Sequence, residues 1–461
     1  MNDEINSLIK LKTWEVIPRP EDRKTVESKW VYKIKFNAQG EIAHYKARLV
    51  AKGYTQVNGL DFNETYAPVT RLKTIRLLFG LAIERDWEIH QINVKTAYLN
   101  SDLDEEIYME PPDGLEIPNG MVLRLCKAIY GLKQAGHQWY LKLKSVLVEM
   151  GFTQVINNPH TFVCHRQEGD TKQTLVVLIY VDDLLPIGDK VLADRFETDI
   201  AKHFNVTIIG DASYFLGIHV QRNRDPDSHS LALNQVQFAK TILERRNHDP
   251  TWITSTPLSP LEKLVPNAEP VKNTNRNTVK QYQSNIGSLM YLMLGTRPDL
   301  AYTVGKLTWF STNPSSEHLC ALEHAFAYVN RTRHYCLTYL ADGNIFPCGY
   351  VDADFASNPS DRTSISRYTF MVASGAFSWS SKKQQSVMMS TMEAEYTAAH
   401  SGSLNALWVQ QFFEQISLPF ENPLTLYCDN QGAIATAKAE QTHQCLKHID
   451  IKLHSICQNI E

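Results

Sequence analysis

The sequence predicts a mixed chain, α+β over its first part and α/β towards its end. Three observations carry that prediction. Short segments alternate apolar and polar residues at period two, apolar residues recur at helical spacing between and beyond them, and near the end three strand-like segments precede a helix, a strand and a helix. The chain has 461 residues, 43% hydrophobic and 21% charged. At about 150 residues per domain that is room for about three domains with their own cores, and it excludes a mostly disordered or fibrous chain.

The elements follow in order. Residues 30–36 alternate as W-V-Y-K-I-K-F and residues 45–52 as Y-K-A-R-L-V-A-K, two strands of which the second carries Lys46, Arg48 and Lys52 on one face. A solvated basic face explains them as well as a binding face does at this point. Residues 74–86 read as a helix with Ile75, Leu78, Phe79, Leu81 and Ala82 as its apolar residues. Residues 175–187, L-V-V-L-I-Y-V-D-D-L-L-P-I, read as a strand, two adjacent aspartates and a second short strand. Residues 255–278 contain four prolines and little periodicity, a linker or long connection. Helices follow at 281–294, 299–312 and 317–332, and strands resume near 346. From Gly349 the chain reads G-Y-V-D-A-D-F-A, then apolar segments at 368–372 and 376–379, a long helix opening S-T-M-E at 390–393, a strand at 424–428 ending in Asp429-Asn430, and another helix.

Charge excludes some functions and localises others. Lys plus Arg number 46 against 50 Asp plus Glu, a formal charge of −4, unlike a uniformly basic nucleic-acid coat protein. The balance is uneven: residues 1–60 carry 11 bases against 7 acids, and residues 101–120 carry 7 acids and no base. Eight cysteines are scattered without a C-x-x-C pair, as in reduced cytosolic or nuclear proteins. The polar, acidic start is unlike a signal peptide.

Asp182 and Asp183 favour a turn by themselves. Yet flanking strands this apolar belong in a buried sheet, where adjacent carboxylates repel and lose hydration unless a cation holds them. A divalent metal is the natural partner, and two-metal phosphoryl transfer uses such converging carboxylates.

Further motifs give that pair a context: K-A-R-L-V-A-K-G-Y-T-Q (46–56), V-K-T-A-Y-L-N (94–100), E-E-I-Y-M-E-P-P (105–112), Y-G-L-K-Q-A (130–135) and Y-F-L-G-I (214–218). In this order and spacing they resemble the reverse transcriptase of copia-type LTR retrotransposon Pol polyproteins, over essentially the whole chain. The resemblance implies a right-hand polymerase: fingers and palm with a primer-grip hairpin over residues 1–250, a linker at 251–283, a helical thumb or connection at 284–345, and an RNase H-like fold at 346–461. It implies that Asp182 and Asp183 are metal ligands and that Lys46, Arg48 and Lys52 approach the triphosphate. Tyr98 matches the aromatic that blocks a ribose 2′-hydroxyl, and Gln134 lies in the motif shaping the nascent base-pair pocket. The implied cofactor is Mg2+, two ions per site with Mn2+ as a substitute. The implied partners are RNA template, DNA primer, RNA–DNA hybrid and dNTPs, without a membrane, in a cytoplasmic virus-like particle and/or the nucleus.

The phrases S-W-S-S-K-K-Q, M-E-A-E-Y, L-Y-C-D-N-Q and K-H-I-D-I-K resemble the RNase H domain of the same elements. Asp352, Glu393 and Asp429 are the expected catalytic and metal-binding carboxylates there, although Glu393 also fits a capping box with Ser390.

Departures from the family pattern bear on activity. Asn93 stands where the family has the aspartate opening D-V-K-T-A-F-L, a degenerate metal position that offers a carbonyl but no charge. Gly136-His137 replaces the usual Pro-Arg. Arg367 stands where glycine is common, in a segment read as a turn. The family's further aspartate beyond K-H-I-D-I-K is missing, so the RNase H-like fold is expected to be C-terminally truncated, and the reading frame is expected to start inside a polyprotein. The copy is therefore expected to be impaired, with a catalytically inactive relic that only binds nucleic acid as the alternative. The cluster His443, Cys445, His448, His454 and Cys457 is weighed as a zinc site and disfavoured for want of a paired framework.

Overall fold

The structure is a computed structural model that describes residues 1–36, 42–169, 171–225, 227–259, 264–269, 275–343, 345–418 and 423–438, without the side chains of Lys35, Phe36, Ala43, His44, Lys46, Glu168 and Thr171. The cluster between His443 and Cys457, with Asp450 of the K-H-I-D-I-K phrase, lies outside the described residues. The fold is mixed α/β, in two compact units: residues 1–70 with 90–210, and residues 71–89 with 211–461.

The first unit is built around a six-stranded sheet in the order Val206–Asp211, Glu88–Val94, Asp183–Gly188, Thr171–Tyr180, Thr161–Glu168, Thr153–Gln154. Its central hairpin forms because the chain supplies two runs too apolar for any surface: Leu175 to Ile179, with Leu184, Leu185 and Ile187, are 0–2% exposed. Pairing runs from Gly188↔Leu175 to Asp183↔Tyr180, leaving Val181 and Asp182 as the two-residue loop. Two helices, Ala135–Glu149 and Lys190–His203, seal the sheet through Trp139, Leu143, Phe196 and Ile200. A second core joins the three-stranded sheet of Trp14–Pro18, Met121–Lys127 and Asp102–Met109 to the hairpin Ser28–Phe36 with Ile42–Ala51, through Leu49, Met109, Leu123 and Ile129.

The second unit has two four-stranded sheets. One is antiparallel, running Tyr214–Phe215, Ile218–Asn223, Ser230–Asn234, Leu337–Leu340. Beside it the helices Val236–Arg245, Arg276–Gly295, Ala301–Thr308 and Ser316–Arg331 bury Tyr282, Leu289, Leu307 and Phe326 in a common core. The other sheet has the order Gly375–Lys383, Ile365–Val372, Cys348–Asp354, Leu426–Cys428, and its last pair is parallel. The Thr391–Gln415 helix lies on that sheet at a glycine: a Cβ on Gly402 would stand 2.4 Å from Val351 Cγ1.

The Leu72–Glu84 helix belongs to this second unit although the first surrounds it in sequence. It is buried almost all round, as a helix caught between layers must be. Arg76 on it donates to the carbonyls of Phe377, Leu294 and Gly295 at 2.6–2.8 Å and lies 3.8 Å over the Trp379 ring. Those bonds explain how a guanidinium can be nearly buried on a helix that reads as apolar.

Candidate functional site

The first carboxylate centre stands at the tip of the central hairpin. Val181 has φ +57°, a left-handed conformation that a β-branched residue rarely adopts. Two bonds hold it: Trp139 Nε1 donates to the Val181 carbonyl at 2.6 Å, and the Val94 N–H donates to the Asp182 carbonyl at 2.7 Å. The strained turn thus sets the two aspartates side by side, and strain held this firmly is a feature of functional sites.

Asn93 sits on the neighbouring strand and meets them directly. Its Nδ2 donates to Asp183 Oδ1 at 3.1 Å, and Gln91 Nε2, two residues along the same strand face, reaches the same oxygen at 3.4 Å. Burial and the charge of Asp182 push the Asp183 carboxyl above its usual range, against the pull of those two amides. An acid in place of Asn93 would add a third negative charge. The amide instead partly satisfies the carboxylate itself.

Arg48 and Tyr98 join this group and Lys52 does not. Arg48 lies 4.5 Å over the ring of Tyr130, which meets the Tyr98 ring edge-on at 4.8 Å and 62°. The Tyr98 hydroxyl is held above its usual range by burial and then by the Asp182 charge, with Arg48 opposing. Lys52 pairs instead with Glu27 at 2.5 Å. Lys46 lies on the Ile42–Ala51 strand opposite Lys33. Gln134 is fully buried, with its amide committed to Gln56 at 3.1 Å, the Asp61 carbonyl at 2.8 Å and Glu105 at 3.2 Å. It fixes the start of the Ala135–Glu149 helix rather than presenting a free amide to a ligand.

The second carboxylate centre lies in the other unit, and here the geometry picks a different glutamate from Glu393. Ser390 caps the helix by accepting from the Glu393 N–H at 3.3 Å, and Glu393 Oε2 accepts from the Met389 N–H at 2.8 Å. Glu393 is therefore a capping residue. Two positions on, about 200° round the helix, Glu395 turns to the sheet. It is 7% exposed, and its Oε2 is buried without a hydrogen-bond partner. Ligand atoms of Glu395, Cys428 and Asp429 lie within 4.8 Å of one another. Burial, then the charges of Asp352 and Asp429, push the Glu395 carboxyl up to about 7, against a bond from the Ala353 backbone. The sequence offered a signal for this choice: the capping box already accounts for the first Glu of M-E-A-E-Y, which leaves the second.

The orphaned Glu395 oxygen between two further carboxylates suits a hard divalent cation, which takes oxygen ligands. The Cys428 thiol suits it less. Burial and the adjoining acids raise its pKa, which keeps it protonated, and hard cations do not favour sulfur. Arg367 also faces this centre, opposite Asp352 in register. It lies within the Ile365–Val372 strand and not in a turn, so the need for permissive dihedrals does not arise there.

Comparisons with known proteins agree with these motifs. The sequence profile of the reverse transcriptase (RNA-dependent DNA polymerase) family matches residues 11–260. The chain is 36% identical to the retrovirus-related Pol polyprotein from transposon TNT 1-94 of Nicotiana tabacum, over 100% of this chain and 35% of that protein. It is 34% identical to the Pol polyprotein from transposon RE1 of Arabidopsis thaliana, over 100% of this chain and 31% of that one. The chain thus spans about a third of the length of these curated relatives. A solved foamy viral protease-reverse transcriptase in complex with RNA/DNA hybrid overlays 99% of this chain and 51% of that chain at 11% identity, with a TM-score of 0.49. Among the described residues no helix is long and apolar enough to cross a membrane. This chain belongs to the reverse transcriptase family, in the branch carried by copia-type retrotransposon Pol polyproteins.

Proposed function

We propose that the chain is an RNA-directed DNA polymerase whose chemistry is centred on Asp182 and Asp183, with an RNase H-like site at Asp352, Glu395 and Asp429. The observation that carries the polymerase reading is the strained, half-buried turn that sets two carboxylates side by side beside Arg48 and Tyr98. Divalent cations, Mg2+ with Mn2+ as a substitute, would supply charge neutralisation between the attacking 3′-hydroxyl and the triphosphate. Asp182 and Asp183 would hold them. Arg48 would lie towards the triphosphate with Lys46 and Lys52, the latter after leaving Glu27. Tyr98 would exclude a ribose 2′-hydroxyl, and buried Gln134 would support the base-pair pocket from behind.

On this reading the fingers and palm occupy residues 1–250, of which 71–89 and 211–250 belong to the second compact unit, followed by a linker at 251–283, the thumb or connection at 284–345 and the RNase H-like fold at 346–461. Template RNA, primer DNA, their hybrid and dNTPs are the partners, in a cytoplasmic particle or the nucleus. The strand, strand, strand, helix, strand, helix order of residues 348–438 supports the RNase H-like assignment. The loss of one ligand charge at Asn93 lowers polymerase turnover by roughly a hundred- to ten-thousand-fold. The Asn93 to Asp183 hydrogen bond also favours a second reading, a relic that binds nucleic acid without turnover.

The test is oligo(dT) extension on poly(rA) by the purified chain at high enzyme concentration. Slow extension that needs Mg2+ or Mn2+ and disappears in Asp182→Asn supports polymerase function. Hybrid binding with no extension under any cation supports the relic.

A further inference from the structure

Arg367 makes an arrangement that neither polymerase nor nuclease chemistry calls for. It stands across from Asp352 on the adjoining strand, and Asp352 and Asp354, two residues apart, share its face of the sheet. One guanidinium nitrogen meets Asp352 Oδ2 at 3.2 Å and the other meets Asp354 Oδ2 at 3.1 Å, so a single side chain bridges both acids. The face of the guanidinium lies 5.0 Å from the Tyr302 ring centre. Its Nε is buried and has no acceptor.

These are poor features for a stability device. The three side chains are 37%, 50% and 38% exposed, and ion pairs that open to water are weak, while an unpartnered buried donor is a cost. They are suitable features for a displaceable charge. The guanidinium supplies fixed positive charge at the edge of a cluster that otherwise holds Asp352, Asp354, Glu395 and Asp429, and its field reaches Glu395.

We propose that Arg367 is a built-in counter-cation of the second carboxylate centre, which a divalent ion must displace from Asp352 before that carboxylate can ligate it. The inference rests on the reading of Asp352, Glu395 and Asp429 as a cation site. Arg367 is then a positioning residue that sets how much divalent cation the site needs. It holds Asp352 in a fixed rotamer when no ion is bound and swings towards Asp354 when one is.

The experiment is Mn2+ titration by calorimetry on the full chain carrying D182N and D183N, which removes the first centre, and H90A, which removes the other His and carboxylate group that could hold an ion, Glu88, His90 and Asp211. With R367Q added, and separately with R367G, Mn2+ affinity is expected to tighten about tenfold, because both a competing cation and a fixed repulsive charge are removed. R367Q keeps side-chain length in the strand, and its melting curve checks that it folds. Affinity within twofold of the parent in a folded R367Q protein overturns the proposal. Adding D352N to R367Q is expected to weaken binding by tenfold or more. If D352N leaves binding unchanged, the cation-site reading itself fails and takes the inference with it, an outcome distinct from an unresponsive Arg367.

Discussion

Glu393 and Glu395 are two residues apart on one helix and are assigned different work, so the same substitution at each has opposite consequences. The Glu395 carboxyl is pushed from 4.5 to about 7 by burial and by Asp352 and Asp429. A folded carboxyl whose pKa lies above its unfolded value binds more protons than the unfolded chain between those pH values, so stability falls as pH rises through that window. At about 1.4 kcal/mol per pKa unit, the shift of about 2.5 units makes holding Glu395 ionised cost about 3.5 kcal/mol at most, or about 2 kcal/mol after solvent screening. Glu395→Gln is therefore expected to raise stability by about 2 kcal/mol at pH 8 in EDTA, and by little at pH 4.5. The same change is expected to lower Mg2+-dependent cleavage of an RNA–DNA hybrid by a hundredfold or more. Glu393→Gln removes the carboxylate that accepts from the Met389 N–H. It is expected to lose about 0.5–1 kcal/mol at either pH and to keep cleavage within about threefold. Urea denaturation at both pH values and a labelled-hybrid assay measure the four quantities. Loss of cleavage in Glu393→Gln with retention in Glu395→Gln would overturn the assignment of Glu395 to the site and Glu393 to the cap.

Three further outcomes follow from single contacts. Burial, then Arg71, lowers the Lys73 pKa to about 8, while its Nζ lies 3.6 Å from the Trp408 ring centre and donates to Asn405 at 3.0 Å. Between pH 8 and 10.5 the unfolded chain holds this proton more tightly, so wild-type stability rises over that window. Lys73→Met is expected to flatten the rise and to be about 1 kcal/mol more stable at pH 7, as urea midpoints would show. Gly131 has φ +94°, and a Cβ there would stand 2.1 Å from the Ala51 carbonyl oxygen. Gly131→Ala is expected to cost about 3 kcal/mol or more, and a urea midpoint unchanged from wild type would contradict that. Trp139→Phe removes the donor that holds the Val181 carbonyl at 2.6 Å. In an Asn93→Asp background it is expected to slow primer extension about tenfold, the equivalent of one buried hydrogen bond.

What the sequence makes legible is whatever depends on local pattern. The apolar runs on both sides of Asp182 and Asp183 can only be buried strands, and the pairing Asp183↔Tyr180 places both acids at the tip as the run lengths require. The order of elements after residue 346 is likewise periodicity and punctuation. What stays hidden depends on partners distant in sequence. Arg367 reads as an awkward residue in a turn until the register sets it opposite Asp352. Gln134 reads as a pocket residue until Gln56, Asp61 and Glu105 surround it. The Leu72–Glu84 helix gives no sign that its neighbours, Phe377 and Gly295, come from more than 200 residues away. Glu393 lies between these cases. Its capping pattern is local and visible, but nothing local says that Glu395 then faces the acids.

A copia-type polymerase centre weakened by one missing carboxylate is tested most directly by single-turnover primer extension with Mg2+ for wild type and Asn93→Asp side by side, each with Asp182→Asn as control. Asn93→Asp is expected to extend the primer about a hundred- to ten-thousand-fold faster than wild type, and Asp182→Asn to abolish both activities. Equal rates in wild type and Asn93→Asp, or extension that survives Asp182→Asn, would contradict that expectation.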